Sequence, residues 1–127
     1  MRLLLDTHVL LWLLSDPERL GEAVLAILRG EANEIRVSAA TAWEIAIKKQ
    51  MGKLRAPDDL EAQLEAGGVT ALPITLAHAR LAGSLPAHHR DPFDRMLIAQ
   101  ARIESLTLVA GDADISKYDV PVIDARA

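Results

Sequence analysis

Residues 2–14 read RLLLDTHVLLWLL. The opening run, Arg2-Leu3-Leu4-Leu5, is short and apolar, and it stops directly at a polar turn, Asp6-Thr7-His8. That is the pattern of a strand buried in a parallel sheet, where both faces are covered and the usual polar–apolar alternation disappears. Residues 9–14 then read as a short helix, broken by Asp16-Pro17.

The rest of the chain repeats the theme. Residues 18–29 form a helical pattern, with Leu20, Val24, Ile27 and Leu28 at helical spacing and Gly30 beyond the end. Residues 34–38 read as a second strand. Residues 39–51 read as a helix with Ala39, Trp43, Ile47 and Met51 along one face, stopped by Gly52. Another helix is expected over 57–66, opened by Pro57 and closed by Gly67-Gly68. A third strand follows over 69–72, then a helix over 75–83 with Thr75 as its cap. Residues 84–90 form a loop holding Pro86 and the pair His88-His89. A strong amphipathic helix covers 92–104, a buried strand 106–110, a turn with one helical turn 111–117, and an edge-like strand 120–123 containing Pro121. Strands alternating with helices imply right-handed crossovers and a sheet covered on both sides. The expected fold is a three-layer α/β/α domain, its central, mostly parallel sheet having four to five strands, with residues 1–127 forming one domain.

Composition narrows the function classes. The chain has 127 residues, half of them apolar, with only 3% aromatic. That suits helices packed on a sheet, and it is poor material for a surface that stacks nucleobases. The formal net charge is -4, whereas proteins that grip nucleic acid through phosphates are usually basic. Nucleic acid is compatible with this charge only if the negative groups gather where a cation sits. There is no cysteine, which removes disulfides, zinc–thiolate sites and thiol nucleophiles, and the reducing cytoplasm is the natural compartment. Asp6 and His8 interrupt the only stretch that resembles a signal peptide, and no run is long enough to span a membrane.

In such sheets, ligands bind beyond the carboxyl ends of the strands. Four acids fall there: Asp6 after the first strand, Glu44 early in the helix after the second, Asp94 in the first turn of the helix over 92–104, and Asp112 after the fourth. At about 4 Å, two like unit charges cost on the order of 1 kcal/mol in water and about 4 at an effective dielectric of 20. A cluster must therefore raise its own pKa values or take a cation. An all-oxygen site suits Mg2+ or Mn2+, and the chemistry such an ion supports is phosphodiester hydrolysis.

Each acid also has an ordinary explanation. Asp6 caps the helix that follows it, and Glu44 pairs with Lys48 one turn later. Asp91-Pro92-Phe93-Asp94 is a helix start with a cap, a proline and an acid. Asp112 and Asp114 are turn residues after Gly111. Thr7 and Ser38, at strand ends, either hydrogen-bond a carboxylate or cap helices. His78 reads as a partly buried structural residue, and His88-His89 as part of a solvated loop. The functional reading rests on all four acids sharing one edge of the sheet.

Four stretches together carry a resemblance: LLLDTHVLLWLL from residue 3, VSAATAWEIAIKKQMGKL from residue 37, LPAHHRDPFDRMLIAQA from residue 85 and LTLVAGDADISKY from residue 106. Over nearly the whole chain the sequence resembles the PIN-domain ribonucleases, specifically the VapC-type toxins of VapBC toxin–antitoxin pairs. The resemblance implies a PIN-like fold and carries the family's acids onto Asp6, Glu44, Asp94 and Asp112 as catalytic groups and metal ligands. It implies one or two Mg2+ or Mn2+ ions and RNA cleavage leaving a 5′-phosphate and a 3′-hydroxyl. It also implies a homodimer and a cognate VapB-type antitoxin that sends a basic side chain into the acidic site.

Relatives commonly carry Thr or Ser two residues before the fourth acid, where this chain has Ala110. Asp114 is then expected to share the role of Asp112, and Asp91 to support Asp94. Lys48, Arg90 and Arg95 are expected to hold the RNA backbone, with Lys49 and Lys53 as further candidates. The rival readings are another Mg-dependent phosphoesterase and a PIN-like domain that only binds a partner. The dehalogenase-type phosphatase pattern fails because His8 stands where a second Asp is needed.

Overall fold

The computed structural model describes residues 1–88 and 91–127. A five-stranded sheet forms its centre. The strands are β1 (Arg2–Leu5), β2 (Glu34–Ser38), β3 (Thr70–Leu72), β4 (Thr107–Ala110) and β5 (Val122–Asp124), in the order β3-β2-β1-β4-β5. All four strand pairs are parallel. The chain therefore winds outward from β1 to β3, returns across the sheet, and winds outward again through β4 and β5. The reversal falls between β1 and β4, where diverging connections leave a crevice at the carboxyl ends.

The β1 run is as deeply buried as its composition implies, with Leu3, Leu4 and Leu5 all at 0% exposure. Alternation sends them to different cores. Leu4 joins Leu72, Leu97, Ile98 and Leu108 on one face. Leu3 and Leu5 join Val9, Leu10, Val24, Leu28, Val37 and Val109 on the other. The first core is covered by α5 (Leu76–Ser84) and α6 (Pro92–Glu104), the second by α1 (Thr7–Ser15), α2 (Glu22–Arg29) and α3 (Ala39–Gln50). Each fully buried leucine contributes about 1.5–3 kcal/mol. Among the described residues no helix is long and apolar enough to cross a membrane.

Four details depart from the sequence reading. The helix expected over 18–29 is split into a short 3-10 turn, Pro17–Arg19, and α2. The break falls at Gly21, whose N–H donates to the Ala125 carbonyl at 3.0 Å. A Cβ on Gly21 would lie 2.0 Å from the Ala127 carbonyl carbon. A contact spanning the length of the chain ends the helix, and local periodicity carries no trace of it. The helix expected over 57–66 begins later, as α4 (Leu60–Ala66).

The third correction concerns α3. The stripe of Ala39, Trp43, Ile47 and Met51 is not its buried face. Trp43 is 62% exposed and Met51 56%, and the face turned inward is Ala40, Thr41, Glu44 and Ile45. Polar groups face inward here because they satisfy one another, as described below. The Trp43 ring instead meets Phe93 of α6 edge-on, with ring centroids 5.3 Å apart. His78 is fully buried rather than partly so. Its Nδ1 accepts from the Thr75 N–H while Thr75 Oγ1 accepts from the His78 N–H, closing the cap of α5.

Candidate active site

The crevice between β1 and β4 opens into a cleft of about 500 Å³ lined by Asp6, His8, Trp12, Asp91, Asp94, Gly111, Asp112 and Arg126. Asp6 sits at its floor. Its N–H donates to the Val109 carbonyl at 3.0 Å, extending the β1–β4 ladder by one residue, and its Oδ1 caps α1 by accepting from the Val9 N–H at 2.8 Å. The Gly111 N–H approaches Oδ2 at 3.4 Å. Asp6 is therefore a helix cap whose side chain also faces the cleft.

Asp91 is similar. Its Oδ1 accepts from the N–H groups of Phe93 and Asp94 at 2.8 and 3.2 Å, which fixes the start of α6 and so the position from which Asp94 enters the cleft. Asp112 follows β4 and caps the 3-10 turn Ala113–Lys117 by accepting from the Asp114 N–H at 2.8 Å.

Glu44 has a different place. It is 3% exposed and does not line the cleft. One carboxylate oxygen accepts from Thr7 Oγ1 at 2.5 Å and the other from Lys48 Nζ at 2.5 Å. Thr7, in turn, reaches Thr41 Oγ1 at 3.3 Å. The buried charge is thus neutralised by a cation and a hydroxyl next to Asp6. The bond to Glu44 raises the Lys48 pKa against the smaller opposing effect of burial.

Among the described residues, Asp6 has no such cation on its carboxylate. Burial pushes its pKa up, and the neighbouring Glu44 charge adds to the rise. The N–H groups of Val9 and Gly111, together with His8, offset part of it. A carboxylate in this condition is one that a cation would stabilise.

The oxygen-only donor set fits a hard divalent cation. The acids line the cleft without being gathered into a cage: among the described residues, no group of three His, Asp or Glu side chains is already arranged to hold an ion.

Next to the cleft, and sharing His8 with it, lies a second hollow of about 460 Å³, lined by Thr7, His8, Leu11, Lys48, Lys53 and Leu54. Two of the lysines expected to meet a phosphate backbone therefore flank the acids. The structure gives the other basic candidates other tasks. Arg95 donates to the carbonyls of Ala82, Leu85 and Pro86, tying α6 to the end of α5. Lys49 pairs with Asp58 on the far side of α3. Arg90 and His89 lie outside the described residues. His88 is exposed and packs edge-on against Tyr118, its ring centroid 5.2 Å away.

Among the support residues, Ser38 is buried and caps α3 by accepting from the Ala40 N–H, and it does not line the cleft. Asp114 pairs with Lys117 at 3.0 Å and is likewise absent from the cleft wall.

Two cleft residues were not singled out from the sequence, Trp12 and Arg126. The Arg126 guanidinium lies over the Trp12 ring at 5.6 Å and donates to the Gly111 carbonyl at 2.9 Å. Trp12 was read as one apolar residue of a short helix, and Arg126 lies in a segment without a motif. Nothing local marks either as facing the acids.

A parallel α/β domain with acids collected at its topological switch point is the class that fold and cleft define. Residues 3–121 match the PIN domain family, and the chain belongs to it. No curated protein sequence matches the chain significantly.

Among solved structures, the fold is similar to that of VapBC2 from Rickettsia felis bound to a promoter DNA fragment. The TM-score is 0.73 and the identity 14%, with 98% of each chain covered. It is also similar to VapBC-1 from nontypeable Haemophilus influenzae, with a TM-score of 0.69 and 16% identity over 98% of each chain. DNA-bound VapBC from Salmonella typhimurium gives 0.67 and 18%, again over 98% of each chain.

Proposed function

We propose that the chain is a divalent-metal-dependent endoribonuclease acting in the cytoplasm as the toxin of a toxin–antitoxin pair. The observation that carries the reading is the placement of Asp6, Asp91, Asp94 and Asp112 on one cleft at the β1–β4 switch point. Membership of the PIN domain family and fold likeness to VapBC assemblies support it. Asp6, Asp94 and Asp112 would hold Mg2+ or Mn2+. Such an ion, when bound, polarises a phosphoryl oxygen and lowers the pKa of a coordinated water.

The chain's own groups set the geometry. Asp91 fixes the first turn of α6 beneath Asp94. Thr7 and Lys48 hold Glu44 as a buried charge behind Asp6, so that Glu44 acts on the cleft electrostatically rather than as a ligand. Lys53 offers a cation to the backbone on one side, whereas Lys48, expected to do the same, is engaged by Glu44. In the net reaction a water oxygen bonds to phosphorus as the P–O3′ bond breaks, leaving a 5′-phosphate and a 3′-hydroxyl. The acidic cleft also suits a basic side chain from a VapB-type antitoxin, and a homodimer is the expected form of the toxin.

The test is to map new RNA ends in cells after expression of the wild-type chain and of Asp6→Asn. Discrete 5′-phosphate ends that vanish in the variant are expected. Identical patterns from both proteins would remove the assignment. Wild-type protein without any cleavage would favour the partner-binding reading to which Ala110 points.

A further inference from the structure

A cleft of carboxylates repels a phosphodiester, so the substrate needs a cation that the acids have not already taken. Lys48 is held by Glu44, Arg95 by three carbonyls, and Lys117 by Asp114. Among the described residues, Arg126 is the one Arg or Lys side chain in the cleft wall itself. It forms no carboxylate ion pair there.

Its position is built from several directions. The Arg126 N–H donates to Asp124 Oδ1 at 2.9 Å, and the neighbouring Ala125 N–H donates to the Ala110 carbonyl at 2.9 Å. Ala125 is fully buried, which anchors the segment on the sheet. The guanidinium lies over Trp12 and donates one N–H from Nη1 to the Gly111 carbonyl. Residue 111 has no side chain to obstruct it: a Cβ there would lie 3.1 Å from Arg126 Nη1. A guanidinium offers five N–H donors in a fixed plane, and only one is used by this contact. The cation–π contact with Trp12 consumes none of these donors.

We infer that Arg126 binds a backbone phosphate of the nucleic-acid substrate at the wall of the acid cleft. This deepens the ribonuclease reading and rests on it for the identity of the substrate. Arg126 is a substrate-positioning residue, and its charge offsets the repulsion between the phosphate and the cleft aspartates. Lysine is predicted to be an incomplete substitute, because an ammonium lacks the planar fork of donors.

The experiment compares wild type, Arg126→Gln and Arg126→Lys, using a short fluorescein-labelled single-stranded RNA. Anisotropy reads binding in the Asp94→Asn background, where turnover is blocked, and steady-state cleavage is read with Asp94 intact. Expected for Arg126→Gln is about a tenfold loss of affinity, with the slope of log K against log salt shallower by about one phosphate contact. In cleavage, the loss falls mainly on KM, and Arg126→Lys recovers part of it. A merely structural role would lower the melting temperature and leave the salt slope unchanged, and that result overturns the inference. So does a variant whose only defect, by sedimentation, is in self-association.

The two readings fail separately. RNA cleavage by wild type with an unchanged KM in Arg126→Gln removes the phosphate contact and leaves the nuclease. Arg126-dependent RNA binding without cleavage does the reverse.

Discussion

Glu44, in the middle of α3, and Asp6, at the cap of α1, are both buried acids, one behind the other, and the fold treats them in opposite ways. Glu44 is enclosed by Thr7 and Lys48, which occupy both of its carboxylate oxygens. Asp6 faces a cleft shared with three other aspartates, and burial pushes its pKa up. Glu44 is closed off by its own partners, whereas Asp6 opens onto solvent in a cleft where burial makes its ionised form costly. Functional sites commonly hold carboxylates whose pKa values are shifted in this way.

Breaking the open side should have the largest effect. Asp94→Asn is expected to lower RNA cleavage by at least about a hundredfold, with little change in melting temperature, because the α6 cap belongs to Asp91. Steady-state cleavage beside a thermal melt checks both halves. An unfolded variant would show that Asp94 is a structural acid like Glu44.

Breaking the closed side should act first on stability. Lys48→Met leaves the carboxylate of Glu44 short of a donor in a buried setting. It is expected to cost about 1–3 kcal/mol in chemical denaturation. Glu44→Gln, which removes the charge along with the need for it, should cost less than Lys48→Met. The reverse order would mean that Lys48 is not the group that makes a buried Glu44 tolerable.

The third comparison is by pH. The folded pKa of Asp6 is raised, so between the unfolded and folded values the native state holds more protons than the unfolded one. Stability from this group is therefore lost as pH rises through that window, and ionised Asp6 is a net cost above it. In chelator-treated protein, Asp6→Asn should be more stable than wild type at neutral pH. That advantage should vanish below the unfolded carboxyl value near 3.9. Denaturant midpoints across pH give the sign directly. A variant less stable than wild type at neutral pH would mean that the Val9 and Gly111 hydrogen bonds outweigh burial.

The smallest effect is expected at Trp43. Although Trp43 lies on the most apolar stripe of α3, its exposure predicts that Trp43→Ala changes stability by only about 0.5 kcal/mol. A Leu4→Ala change in the core should cost about 2–5 kcal/mol. Comparable losses would mean that the Trp43–Phe93 contact is an anchor rather than a surface pairing.

The same contrast shows what was legible in the sequence. The buried strand Arg2–Leu5, the cap at Asp91 and the helix Pro92–Glu104 follow from local pattern and were read at their observed bounds. So was the gathering of Asp6, Asp94 and Asp112 at one edge, because parallel crossovers force carboxyl ends together. The inward turn of Glu44 was not legible. Hydrophobic periodicity favours Trp43 as the buried residue, and a buried glutamate becomes acceptable through Lys48 one turn on together with Thr7, thirty-seven positions away. The break at Gly21 and the arrival of Arg126 beside Trp12 are likewise products of the closing segment, which packs against distant elements.

The central claim is most directly tested by calorimetric titration of chelator-treated protein with Mn2+. Saturable binding is predicted for wild type, abolished in Asp6→Asn and weakened by less than about tenfold in Glu44→Gln. Binding that survives Asp6→Asn, or that is lost in Glu44→Gln, would contradict the division into an open acidic cleft and a closed charge behind it.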